Sequence, residues 1–181
     1  MNPINTLAAL IDKPELLAAA DRPEGLGRTG MLGYLAGTLG IFAWLRIYSA
    51  VPPGFMSFTA VLLCLLGLNF LMAALLHLFM DLTGARGGAG RLFLAFGCTD
   101  YLMSLLIPLA FFSKLNLVGG FAAYSACVAL LVYARVRIVK RVYAVSANKA
   151  ALGVLLPYAW LGAAAFVASV YSLAWLIWLI I

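Results

Sequence analysis

The chain is poor in charge, and that shortage decides most of its reading. Only 10% of its 181 residues are charged, whereas a soluble domain carries about a quarter. There is one histidine, and the three cysteines (Cys64, Cys98 and Cys127) lie far apart in apolar stretches with no CxxC pair. Cysteines placed this way are expected as small buried hydrophobes and say nothing about redox compartment. A lone histidine with separated carboxylates and scattered cysteines does not match zinc-ligand spacing, so no metal and no cofactor is expected. No serine motif accompanies His77. The run Gly84-Ala85-Arg86-Gly87-Gly88-Ala89-Gly90 lacks the Lys-Ser/Thr ending and preceding strand of a phosphate-binding loop. It is expected as a tight turn. With no nucleophile, base and orienting acid in any pattern, the chain is expected not to be an enzyme. Met1 to Ala20 contains acids and two prolines in place of a basic start and an unbroken apolar run, so no signal peptide is expected there.

What the chain has in quantity is apolar surface. Hydrophobic residues make up 66% of it, more than a soluble core of this size can hide, so lipid is expected as the solvent. A membrane-crossing helix needs about 20 apolar residues, and five segments qualify: 30–51, 58–80, 92–112, 117–139 and 152–181. The first ends at Pro52-Pro53-Gly54, which cannot continue a helix. The fifth is longer than the hydrocarbon layer and is expected to tilt, or to lie at the interface before Pro157. Ahead of them, Ile4, Leu7, Ala8 and Ile11 recur at helical spacing, and Pro14 suits the first turn of a second short helix. The expected fold is all-α: a polytopic membrane protein of five transmembrane helices over 30–181, preceded by a short amphipathic segment, 1–29, at the membrane surface.

The basic residues orient this arrangement. With the N-terminus in the cytoplasm, that side carries Lys13, Arg22, Arg28, Arg86, Arg91, Arg135, Arg137, Lys140, Arg141 and Lys149, and the opposite side carries Lys114. Arg46 lies within the first segment near its outer end, placed to snorkel. An asymmetry of this kind is what the positive-inside rule requires. It would blur with four or six spans. Ile181 is then expected outside, with Trp175 and Trp178 in the interfacial belt. The formal charge of +6 accordingly points to anionic lipid and not to nucleic acid. Arg86, Arg91, Arg135, Arg137, Lys140 and Arg141 are the candidate lipid-headgroup contacts. The stretch from Tyr133 to Lys149 reads as a helix leaving the bilayer along the anionic leaflet.

Polar groups inside a bilayer are costly and are the default places to look for function. Asn69, His77, Asp81 and Asp100 form the candidate intramembrane site. His77 and Asp81 lie four apart on one helix face. Asp100 is roughly 12–13 Å deep and Asn69 roughly 18 Å deep from the cytoplasmic side. Asp100 is expected either to hydrogen-bond Asn69, Thr99, Tyr101 or His77, or to stay a neutral acid. Arg46 lies about 10 Å further along the membrane normal, out of easy reach. Small residues repeat at close-packing intervals: Gly33, Gly37 and Gly40; Gly119, Gly120, Ala123 and Ala126; and Gly162 to Ala165.

The order of features resembles the Yip family of membrane proteins, named for binding Ypt/Rab GTPases. The resemblance runs from Asn2-Pro3 and Pro14, through Asp81-Leu82-Thr83-Gly84 and the glycine-rich turn, to Leu92-Phe93, Gly97 and Pro108. It ends with a basic exit from the fourth span and Asn148-Lys149-Ala150 before Pro157. Where many members have Gly-Tyr before a proline, this chain reads Gly97-Cys98-Thr99-Asp100-Tyr101. It also lacks the long soluble N-terminal region of eukaryotic relatives, and so resembles a compact prokaryotic type for which GTPase binding is not expected. The resemblance implies a five-span protein without catalytic residues that associates with other membrane components, with lipids, membrane proteins or itself as partners. The alternative is a small-solute or ion transporter lined by Asp100, His77 and Asn69.

Overall fold

A computed structural model describes residues 25–180. The amphipathic segment expected over 1–29 lies mostly outside the described residues, as does Ile181. Six α-helices are described: α1 (Leu26–Ile47), α2 (Phe55–Leu82), α3 (Ala89–Asp100), α4 (Leu106–Lys114), α5 (Gly120–Val142) and α6 (Ala147–Ile180), with a 3-10 turn, Tyr101–Leu105, joining α3 to α4. Taking α3 to α4 as one unit, five helices are long and apolar enough to cross a membrane. The chain is an integral, multi-pass, all-helical membrane protein. The spans start and stop a few residues from their expected positions, because capping and not hydropathy ends a helix. Gly84 takes φ 79° after α2, and its N–H donates to the Asp81 carbonyl while the Ala85 N–H donates to that of Met80. This is the paired closure that satisfies orphan carbonyls at a helix C-terminus.

The third span is not one regular helix. Pro108 has no N–H for the Ser104 carbonyl, and its ring crowds that carbonyl. The chain upstream tightens into the 3-10 turn Tyr101–Leu105 directly after Asp100.

Buried residues of α1 recur at 26, 30, 33, 37, 40 and 44, a heptad-like seam. Four glycines on this seam lie against α3 and the 3-10 turn: Gly30 meets the Leu94 backbone, Gly33 that of Gly97, Gly37 that of Asp100 and Gly40 that of Met103. A Cβ at any of them would overlap main-chain atoms, so the two backbones approach as closely as glycine permits. Tyr34, wholly buried on the same seam, donates from its hydroxyl to the Phe93 carbonyl at 2.6 Å. The first span therefore packs mainly on the third, although short connections favour its neighbour in sequence, α2.

Two apolar clusters fill the bundle. One, near the end carrying the basic turns, includes Met72, Leu76, Met80, Leu92, Phe96 and Val139. The other, toward the opposite end, includes Trp44, Met103, Leu106 and Leu131. α6 joins only the first, through Ala150, Gly153, Val154 and Pro157, with Gly153 seated against Met80 and Phe79. Beyond Leu161 every described residue of α6 is exposed. Those 19 residues, Gly162–Ile180, span about 28 Å at 1.5 Å per residue, close to the roughly 30 Å hydrocarbon thickness.

Candidate functional site

Buried residues of α5 fall at 123, 127, 131, 135, 139 and 142. Five are small or apolar, and the sixth is Arg135. Helical periodicity therefore delivers a guanidinium into the bundle, where Arg135 is 3% exposed. Across from it the C-terminal end of α3 presents Asp100, 1% exposed. Arg135 Nη2 donates to Asp100 Oδ1 at 2.6 Å and to Asn69 Oδ1 at 2.5 Å. Nη1 donates to the Tyr158 hydroxyl at 2.5 Å, and Nε lies 3.4 Å from Thr99 Oγ1. The guanidinium carbon sits 4.6 Å above the Phe96 ring centroid. Asn69 closes the circuit, its Nδ2 donating to Asp100 Oδ2 at 3.2 Å and to the Leu65 carbonyl at 3.0 Å.

The five residues come from four helices: Asn69 from α2, Asp100 and Thr99 from α3, Arg135 from α5 and Tyr158 from α6. Asp100 also touches α1, because its backbone packs on Gly37. A buried ion pair survives desolvation only with further hydrogen bonds to its polar atoms, and here each nitrogen of the guanidinium and each carboxylate oxygen has at least one partner. Among the described residues, the gap bounded by Met72, Phe96, Arg135 and Pro157 is too small to admit a water molecule. The cluster fixes the relative placement of the helices and presents no nucleophile aimed at a base.

The other candidate residues fall elsewhere. His77 is half-buried and pairs with Tyr143, Nδ1 to hydroxyl 2.9 Å, away from Asp100. Asp81 is exposed at the basic end. Arg46, near the opposite end, donates from Nη1 to the Val51 carbonyl at 2.7 Å. Of the expected headgroup contacts, Arg86, Arg137 and Lys140 are exposed, and Arg91 and Arg141 are half-buried with partners of their own. Arg135 departs from the expectation. It is no headgroup contact, because α5 continues to Val142 and so keeps Arg135 inside the span, where Asp100 draws it inward. Its place beside Arg137, Lys140 and Arg141, at the basic exit of the fourth span, groups it in sequence with the cytoplasmic residues. The signal that could have found it is its spacing from Ala123, Cys127 and Leu131 on one helix face.

Tyr143, directly after α5, locks the basic end. Its ring covers Gly87 of the α2–α3 turn while its hydroxyl holds His77. Burial first, and then the nearby Asp81 carboxylate, push its phenol up from the ordinary 10.0 to about 12. The folded state therefore holds this proton more tightly than the unfolded chain does. The resulting stabilisation is complete below pH 10 and is lost as pH rises through about 12. Unfolding followed against pH should show this loss in the wild type, and Tyr143→Phe should lack that component. Identical alkaline profiles would refute the assignment.

Comparisons of the chain with protein-family models, with curated proteins and with solved structures found no match.

Proposed function

We propose that the chain is a non-catalytic membrane protein that associates with or organises other membrane components, of the compact prokaryotic Yip type that its motif order resembles. The observation that carries this reading is the bare half of α6. Nineteen consecutive residues, long enough to cross the hydrocarbon layer, are all exposed. Gly162, Ala165, Ser169 and Ser172 recur along this helix at intervals of three and four, and small residues let a second helix approach closely. The Ser169 and Ser172 hydroxyls bond back to the Ala165 and Ala168 carbonyls, leaving that side of the helix without a polar demand. The basic residues support an orientation with the N-terminus and the end of the bundle carrying Arg86, Arg137 and Lys140 in the cytoplasm and the C-terminus outside, in a plasma (inner) membrane.

The test exchanges 162–180 for a leucine–alanine helix of equal length, which keeps the span and removes its pattern. Cross-linked or co-purified complexes recovered in mild detergent are expected to disappear, with the unfolding midpoint of the remaining bundle unchanged. Complexes that persist undiminished would contradict the proposal.

The transport alternative draws on the charge cluster. It requires the Arg135–Asp100 contact to part and water to enter. Proteoliposome flux that Asp100→Asn abolishes would favour it.

A further inference from the structure

At the end of the bundle opposite the basic turns, a cavity of about 400 Å³ opens between the end of α1 and the α4–α5 turn. Its walls include Tyr48, Ser113, Lys114, Asn116 and the Gly119–Gly120 start of α5. Its size lies within the roughly 300–1,000 Å³ of small-ligand pockets.

Among the described residues, the charge at this end is all of one sign. From residue 25 onward the only acidic side chains are Asp81 and Asp100. Asp100 is committed to Arg135 within the bundle, and Asp81 lies at the other end, beside Tyr143. Lys114, exposed at the cavity, thus has no side-chain carboxylate near it among the described residues.

The hydroxyl count is uneven as well. Tyr48 and Ser113 share one hydrogen bond, oxygen to oxygen 2.5 Å, and Ser113 is 7% exposed. Two hydroxyls carry two hydrogens, and the shared bond uses one. The second has no acceptor among the described residues. The pair lies close against the start of α5, where a Cβ on Gly120 would strike both the Tyr48 hydroxyl and Ser113 Oγ. α5 also starts at Gly120 with no side-chain cap, so its first amide N–H groups need acceptors. An ammonium, a spare hydroxyl hydrogen and amide donors line one cavity, with no anion among the described residues to receive them. The surrounding Phe112, Leu115, Leu117 and Val118 are exposed and apolar, a mixture with Lys114 that suits the level where lipid headgroups meet hydrocarbon.

We propose that this cavity binds a phosphate group, carried by an anionic lipid headgroup or by free phosphate. Lys114 supplies the charge, and the Tyr48–Ser113 pair supplies a neutral donor. The site is independent of the bare half of α6 and of the basic turns.

Hydrogen exchange tests it on the full chain in dodecyl maltoside micelles, which contain no phosphate. Phosphatidylglycerol is added in one arm and inorganic phosphate, at constant ionic strength, in the other. Exchange in peptides covering 113–122 is expected to slow at least about threefold, and Lys114→Glu should abolish the effect while Lys114→Arg keeps it. Protection by phosphatidylglycerol alone assigns a lipid headgroup, and protection by phosphate alone assigns the free anion. Because Lys114 is exposed, the variants should fold, and unchanged exchange in peptides covering 69–80 checks this. The proposal is overturned if neither addition slows exchange at 113–122, or if Lys114→Glu is protected as well as the wild type.

Discussion

Asp100→Ala is expected to destabilise the bundle by about 3–5 kcal/mol, the cost of leaving a buried charge without its partner. The expectation rests on the enclosure of Arg135. It is 3% exposed, its Nη2 is committed to Asp100 and Asn69, and the adjoining gap is too small for water. A guanidinium cannot shed its charge, and α5 places this one seven residues before Val142, too deep for its head to escape easily to the surface. Arg135→Met should cost less, because a carboxyl group can exist neutral and Asn69 still donates to it. The double variant Asp100→Leu with Arg135→Met separates the pair from its volume. Replacing a whole buried pair by apolar side chains is often neutral, so the double variant should recover most of the loss. Equilibrium unfolding in mixed detergent–SDS micelles measures all three. Asp100→Ala within about 1 kcal/mol of wild type would show that the pair is not closed in the working protein.

Gly33→Val should be nearly as damaging, at roughly 3 kcal/mol or more. Overpacking a core costs about 1–3 kcal/mol when side chains can yield. Here the obstacle is the Gly97 carbonyl, part of a helix backbone. To make room, α1 must move off α3 as a unit, and Gly30, Gly37 and Gly40 lose their contacts together. Asp100 would shift too, because its backbone packs on Gly37. Gly67→Ala is the control. Nothing lies within 4 Å of the added methyl, and alanine is favoured over glycine within a helix by about 0.5–1 kcal/mol. The two substitutions should therefore differ in sign under the same unfolding assay. Equal effects would mean that the α1–α3 contact is looser than the structure describes.

These expectations separate what local chemistry announces from what packing creates. Asn69 and Asp100 stand out in the sequence because each interrupts an apolar run, and a polar group in lipid needs a partner. Arg135 escaped the same reading because it lies among Arg137, Lys140 and Arg141, where a basic residue usually marks the membrane surface. The face of α5 that turns toward Asp100 decides between the two roles, and hydropathy does not record that rotation. His77 and Asp81 share a helix face and invite a link to Asp100, yet the rotation of α2 turns Asn69 toward Asp100 and His77 toward Tyr143. The glycines at 33, 37 and 40 announce close packing without naming the helix they meet.

By itself the sequence determined that this is a helical protein crossing a membrane five times, with its positive charge gathered at one end. Hydropathy and charge act on each segment through its solvent, so they add along the chain and need no knowledge of distant residues. Only the tertiary structure decided that α1 packs on α3, that Arg135 and Asp100 close one circuit across four helices, and that half of α6 stands apart from the bundle. Each of these depends on the depth and rotation of one helix relative to another. That relation is set by contacts between residues far apart in sequence, and no single segment records it.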